Sequence, residues 1–203
     1  RRTLQGMLQQ LQHSRRVCEQ LLALAQVHQE AQGPQPGAQA PRCDANAVAR
    51  EVVIQYLPLA RGRQIDLGWC DARGSDADDE ATDVAPVQAA AEALHEAIAN
   101  LVHNAIVYTP AQGRVSVSVR LLQRHCEVWV QDSGPGIAPA DRARVFERFE
   151  RLAERRGAAP PVPGSGLGLS IAQALVQRMG GQIELHDGED GAGLAACVRL
   201  PLA

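Results

Sequence analysis

The chain has 203 residues, 45% of them apolar and 21% charged, with a formal net charge of −3. That is globular composition for one full domain plus an extra element, and its slightly acidic balance leaves no electrostatic footprint for nucleic acid. The five cysteines, Cys18, Cys43, Cys70, Cys126 and Cys197, form no Cys-x-x-Cys and are odd in number, which indicates neither zinc nor a disulfide framework and predicts reduced thiols.

No apolar run approaches the ~20 residues that cross a bilayer, and no signal peptide is visible. The chain opens at Arg1 inside a helical pattern, which predicts a piece of a longer protein. Leu4, Leu8, Leu11, Cys18, Leu22 and Ala25 recur at heptad-like spacing, with Met7 and Leu21 beside them. The pattern predicts a helix over 3–30 whose wide apolar stripe needs a partner. A preceding helix, a second copy of the chain, or both would serve. Residues 31–42 hold three prolines and two glycines and read as a linker.

Asp44 is placed to cap a helix over about 45–60. Gln64 to Trp69 alternates like a strand, and 71–83 reads as a solvated acidic loop. A long helix is predicted over 87–107. Val115, Val117 and Val119, then Val128 and Val130, alternate strongly and predict paired strands over 113–121 and 127–131. Residues 139–149 predict a short helix, 152–163 a loop, and 166–179 a helix ended by Gly180-Gly181. Strands near 182–187 and 194–200 follow. Strands and helices without regular alternation predict a two-layer mixed α/β sandwich rather than a Rossmann fold.

Three motifs fall on these elements. Asn100 and Asn104 lie at i and i+4 on one helix face, and amide oxygens suit a hard cation such as Mg²⁺. Asp132-Ser-Gly134-Pro-Gly136-Ile137 opens with a carboxylate that can accept from an exocyclic amine. Gly164-Ser165-Gly166-Leu167-Gly168-Leu169 opens a helix, where free N–H groups and the helix dipole favour phosphate. Glycines in both loops let backbone approach a ligand that a Cβ would block. Together the three describe a site for Mg²⁺ and an adenine nucleotide. Taken singly, an exposed Asn is usually only solvated and a glycine loop is weak evidence.

With a fourth motif, Val145-Phe146-Glu-Arg148-Phe149-Glu-Arg151, the ordered set resembles the catalytic ATP-binding domain of bacterial sensor histidine kinases, within the wider Bergerat-fold ATPases. The resemblance covers 44–203. Residues 1–30 look like the second helix of the dimerisation and phosphoacceptor hairpin, with 31–43 as linker. The implied fold is an α+β two-layer sandwich, a mixed sheet covered by helices on one face, preceded by a long helix.

The resemblance implies roles residue by residue. Asn104 would bind Mg²⁺, Asn100 would support the metal or phosphates, and Tyr108 would pack on adenine. Asp132 would accept the adenine N6 amine and so discriminate against guanine, with Gly134, Gly136 and Ile137 shaping that loop. Val107 stands where the family often has Lys or Arg, which shifts phosphate compensation to Arg148 and Arg151. Phe146 and Phe149 are the only phenylalanines; one is expected in the core, and the segment would anchor a lid over 152–163. Gly164, Ser165, Gly166, Leu167, Gly168 and Leu169 would line the phosphates.

The family's phosphoacceptor motif, His followed by Glu or Asp and then Leu-Arg-x-Pro, is missing. His95-Glu96 matches only its first two residues and lies in the wrong helix. The acceptor is therefore expected upstream of Arg1. The resemblance implies ATP and Mg²⁺ as ligands, a homodimer through the hairpin, a response-regulator receiver domain as partner, no nucleic acid, and the cytoplasmic portion of an inner-membrane sensor. Two other classes share the elements: a Bergerat-fold ATP hydrolase and a non-catalytic ATP-binding regulatory module. Hydrolases of this kind place Glu where Asn100 stands, and the intact glycines speak against a degenerate module.

Overall fold

The computed structural model describes residues 41–70, 84–150, 165–188 and 191–203. The expected helix at 3–30, nearly all of the linker, the acidic loop at 71–83, the loop at 152–163, Arg151 and Gly164 lie outside the described residues.

Asp44 starts the fold as its sequence position predicts. It ends a two-residue strand, β1 (Cys43–Asp44), and caps helix α1 (Ala45–Gly62). Its Oδ1 accepts from Asn46 N at 3.0 Å and from Ala85 N at 2.8 Å, so one oxygen ties the helix start to a segment 41 residues away. Val48, Ala49, Val52 and Val53 give α1 its buried stripe.

The second long helix begins later than its apolar pattern suggests. Val87 is not its first turn. It is fully buried in β3 (Pro86–Val87), paired antiparallel with Cys43 and bridged to Leu202. Helix α2 then runs over Ala91–Tyr108. A fully buried β-branched residue beside a proline satisfies strand and helix patterns alike, and only the pairing with Cys43 decides.

The main sheet holds β2 (Asp66–Cys70), β4 (Arg114–Leu121), β5 (His125–Asp132), β6 (Gln182–Asp187) and β7 (Leu194–Pro201), in the order β2-β4-β5-β7-β6. Only β2 and β4 run parallel, with α2 in their crossover; the remaining pairs are antiparallel. Val117 faces Val130, and Val119 pairs with Val128, which pairs in turn with Val198. These residues are buried against the helices, while Ser116, Ser118 and Trp129 alternate onto the other face. Helix α3 (Gly168–Arg178) packs beside α2 on the covered face. The predicted mixed two-layer sandwich is the observed architecture.

One predicted helix is replaced. Residues 139–149 form two single turns of 3-10 helix, Pro139–Asp141 and Arg144–Phe146. Only Val145 of this stretch is buried, too narrow a stripe to hold an amphipathic α-helix. Instead Arg142 pins the segment: its guanidinium donates to Ile137 O at 3.1 Å, to Leu185 O at 3.3 Å and to the Asp187 carboxylate.

Asp44→Ala removes an N-cap and strands the Ala85 N–H. We expect a loss of about 1–3 kcal/mol in denaturant unfolding, and a smaller loss for Asp44→Asn, which keeps an acceptor.

Candidate functional site

The amides of α2 and the glycines of α3 meet. Asn100 is 2% exposed, and Asn104 is half-buried one turn further on. Across from them Gly168 begins α3. A Cβ built on Gly168 would stand 3.2 Å from both Asn104 Nδ2 and Oδ1 and 3.5 Å from Asn100 Oδ1. The missing side chain therefore lets the first turn of a helix approach two amides. Leu167, at the N-cap of α3, provides no side-chain hydrogen bond, so the first N–H groups of α3 keep their capacity to bind an anion.

Gly166 brings in the segment that precedes the undescribed loop. It has φ +70°, and an added Cβ would lie 2.9 Å from Phe149 Cα. Phe149 N donates to Gly166 O at 3.0 Å. Phe149 itself has φ +64° and is 69% exposed, whereas Phe146 packs against the core. One phenylalanine is thus core and the other faces outward, as expected. Leu167 is buried and Leu169 packs partly against the core. Ser165 Oγ accepts from Leu167 N at 3.3 Å. Arg148 is exposed and makes no hydrogen bond or ion pair among the described residues, whereas Arg144 pairs with Glu150 at 2.8 Å.

The carboxylate loop closes the other end of α2. Asp132 is the last residue of β5. Its Oδ1 accepts from Gly134 N at 2.8 Å and from Leu194 N at 3.3 Å. Both backbone donors fall on one oxygen, and Oδ2 takes none among the described residues. Burial pushes the Asp132 carboxyl above its ordinary range, against the two backbone hydrogen bonds that pull it down. A Cβ on Gly134 would come within 3.1 Å of Tyr108 O. The loop therefore sits against the end of α2 where Tyr108, 43% exposed, presents its ring. Gly136 (φ +66°) approaches Gly193 O, and Ile137 packs partly into the core.

The structure thus brings Asn100, Asn104, Gly168 and Gly166 together, and it brings Tyr108 together with Asp132 and Gly134. The two groups lie toward opposite ends of the second half of α2. Two neutral amide oxygens fit a hard cation that draws its remaining ligands from phosphate and water. Among the described residues no three His, Cys, Asp or Glu side chains cluster to bind a metal. Asn100 and Asn104, rather than a carboxylate cluster, are the metal-binding candidates.

Several contributors are not visible in the motifs. Glu96 is bonded to Asn100. Arg142 holds Ile137 O. Gly193 has no room for a side chain, because its Cβ would overlap Asp132 O. The run Gly191-Ala-Gly193 between two strands was a signal of close backbone approach, and the i, i+4 spacing of Glu96 and Asn100 was a signal for that pair; nothing local marks Arg142.

Comparisons with known proteins give the chain a family. The family described as "Histidine kinase-, DNA gyrase B-, and HSP90-like ATPase" matches residues 89–203. The signal transduction histidine-protein kinase/phosphatase MprB of Mycobacterium ulcerans (strain Agy99) is 42% identical over 115 residues, 55% of this chain and 22% of that protein. The swarming motility regulation sensor protein RssA of Serratia marcescens is 31% identical over 159 residues, 78% of this chain and 31% of that one. The chain spans less than a third of the length of these curated relatives. Among solved structures, a mycobacterial sensor histidine kinase MprB aligns with TM-score 0.64 and 27% identity, covering 81% of this chain and 98% of that one. Full-length ShkA in complex with AMPPNP aligns with TM-score 0.66 and 26% identity, over 91% of this chain and 35% of that one.

The raised Asp132 has a pH consequence. Its folded value lies above the ordinary carboxylate value, so its contribution to stability is present at acid pH and is lost as pH rises through the folded value. Asp132→Asn keeps an acceptor for Gly134 N without the buried charge. We expect the variant to be at least as stable as the parent at pH 7 in thermal unfolding, with the advantage shrinking toward acid pH.

Proposed function

Because this chain belongs to the histidine kinase-, DNA gyrase B- and HSP90-like ATPase family, we propose that residues 44–203 are the catalytic ATP-binding domain of a sensor histidine kinase that works on Mg-ATP. The observation that carries the reading is the approach of Gly168 to Asn104 and Asn100, with Asp132 and Tyr108 at the far end of the same helix. That spacing separates a polyphosphate and metal end from a base end.

At the base end, Oδ2 of Asp132 accepts the adenine N6 amine. Guanine would set a carbonyl against it, an unpaired polar contact costing about 1–3 kcal/mol. Tyr108 covers one face of the base. At the phosphate end, the first N–H groups of α3 and the guanidinium of Arg148 meet the negative charge. Mg²⁺ held by Asn100 and Asn104 would neutralise charge on the phosphates. The protein's share in transfer is positioning and electrostatic stabilisation of a loose transition state. The bond from the γ-phosphorus to the β–γ bridging oxygen breaks, a bond to an imidazole nitrogen forms, and ADP leaves.

The accepting histidine is proposed to lie on the hairpin whose second helix is residues 1–30, upstream of Arg1, with 31–43 as linker. The hairpin would also form the homodimer, and a receiver-domain aspartate of a response regulator would take the phosphoryl onward. Relatives named as a signal transduction histidine-protein kinase/phosphatase and as a sensor protein support the signalling role, and a membrane anchor elsewhere in the whole protein is part of the same proposal. No helix of the described residues is long and apolar enough to cross a membrane. Hydrolysis is not favoured: Asn100 occupies the place of the water-activating carboxylate.

Calorimetric titration with a non-hydrolysable ATP analogue, with and without Mg²⁺ and beside a GTP analogue, tests the reading. Adenine-selective binding that Mg²⁺ strengthens is expected, and indifference to both base and metal would overturn it. Arg148→Ala should weaken the ATP analogue about five- to tenfold, the scale of one exposed charge-assisted contact, and leave adenosine unchanged. Equal losses for the two ligands would remove the phosphate role.

A further inference from the structure

We propose that Glu96 is the positioning residue that decides which end of the Asn100 amide faces the metal and phosphate site; this rests on the Mg-ATP reading above. Glu96 and Asn100 lie one helical turn apart on α2, so their side chains share a face. Asn100 Nδ2 donates to two oxygens of Glu96, the main-chain carbonyl at 2.9 Å and carboxylate Oε1 at 2.9 Å.

Both partners are acceptors only: the carbonyl always, the carboxylate whenever ionised. Turning the amide over would set its oxygen against both of them. Asn100 is 2% exposed, so bulk water does not make up the loss. The main-chain carbonyl is also the i−4 partner of the Asn100 N–H in the helix ladder. The carboxylate is the acceptor added by the side chain. With Nδ2 held back along the helix, Oδ1 is the end turned toward Gly168, 3.5 Å from where a Cβ there would stand.

An asparagine offers a cation its oxygen and repels it with its NH₂ group. A buried amide without a fixed partner can spend time in the wrong orientation. Glu96 removes that freedom, and its negative charge behind the ligand strengthens the amide oxygen as a donor to the metal. The carboxylate thereby acts on the metal without touching it.

The test uses the full chain and reads the Mg²⁺-dependent gain in affinity for a non-hydrolysable ATP analogue by calorimetry. Glu96→Ala should cut that gain about tenfold, the scale on which a partner behind a metal ligand counts, with Mg²⁺-free binding and adenosine binding unchanged. Glu96→Gln should keep most of the gain, because its amide oxygen still accepts from Asn100 Nδ2. Asn100→Asp sets carboxylate against carboxylate and should lose the gain. Adding Glu96→Gln to Asn100→Asp should recover part of it, because the glutamine amide then donates. An unchanged gain in Glu96→Ala, or no recovery in the double variant, overturns the positioning role. Should Glu96→Ala unfold, the Asn100→Asp pair decides. A parent chain that binds no adenine nucleotide overturns the Mg-ATP reading and the role of Glu96 with it. A parent that binds normally beside an indifferent Glu96→Ala overturns only the role of Glu96.

Discussion

Asn104 and the first turn of α3 face each other across a gap that a single methyl group would crowd. That close approach depends on Gly168, and most of the site depends on the approach. It puts the N–H groups of α3 near the amides of α2, so in the proposed complex a phosphate on one would reach a metal on the other. A larger residue at 168 would have to push α3 away from α2 or turn Asn104 aside, because interiors packed to crystal density have no slack to absorb it. Gly166 repeats the device two residues earlier, where its left-handed backbone lets Phe149 hydrogen-bond across to it. Of these two glycines, Gly168 joins the start of α3 to α2, and Gly166 joins the Phe149 segment to the start of α3.

The sheet supplies rigidity behind this arrangement and keeps its own chemistry apart. On the face turned away from the helices, Glu127 is nearly buried. Burial pushes its carboxyl up, yet hydrogen bonds from Trp129, Arg199 and His125 outweigh it and hold the carboxyl below its ordinary value. Arg199 also reaches Glu184 at 3.0 Å, which links three neighbouring strands. Arg120 lies over the Trp129 ring at 5.4 Å. Burial drives the thiols of Cys126 and Cys197 up to about 12, so they behave as small packing groups rather than nucleophiles. Among the described residues, the candidate site lies on the far side, with α2 and α3.

Much of this was legible from the chain alone. The capping role of Asp44, the alternating valines of β4 and β5, the glycine stop after α3 and the i, i+4 asparagines are all local signals. Each is set by backbone geometry within a few residues, and all stand in the structure where the pattern places them. Val87 and the stretch 139–149 went otherwise. Val87 takes its state from Cys43 and Leu202, and 139–149 is held as single turns by Arg142 reaching to β6. No window of sequence contains those partners.

The same division runs through the site. Sequence order alone pointed to two asparagines, a carboxylate loop and a glycine-rich helix start as parts of one candidate nucleotide site, because residue type and spacing dictate what a ligand can be offered. Only the tertiary structure decided how they are held. It brings Gly168 to Asn104 across 64 residues and fixes Asp132 Oδ1 with an N–H from Leu194. Such contacts follow from how packed elements exclude volume and pair buried polar groups, and neither effect acts between neighbours along a chain.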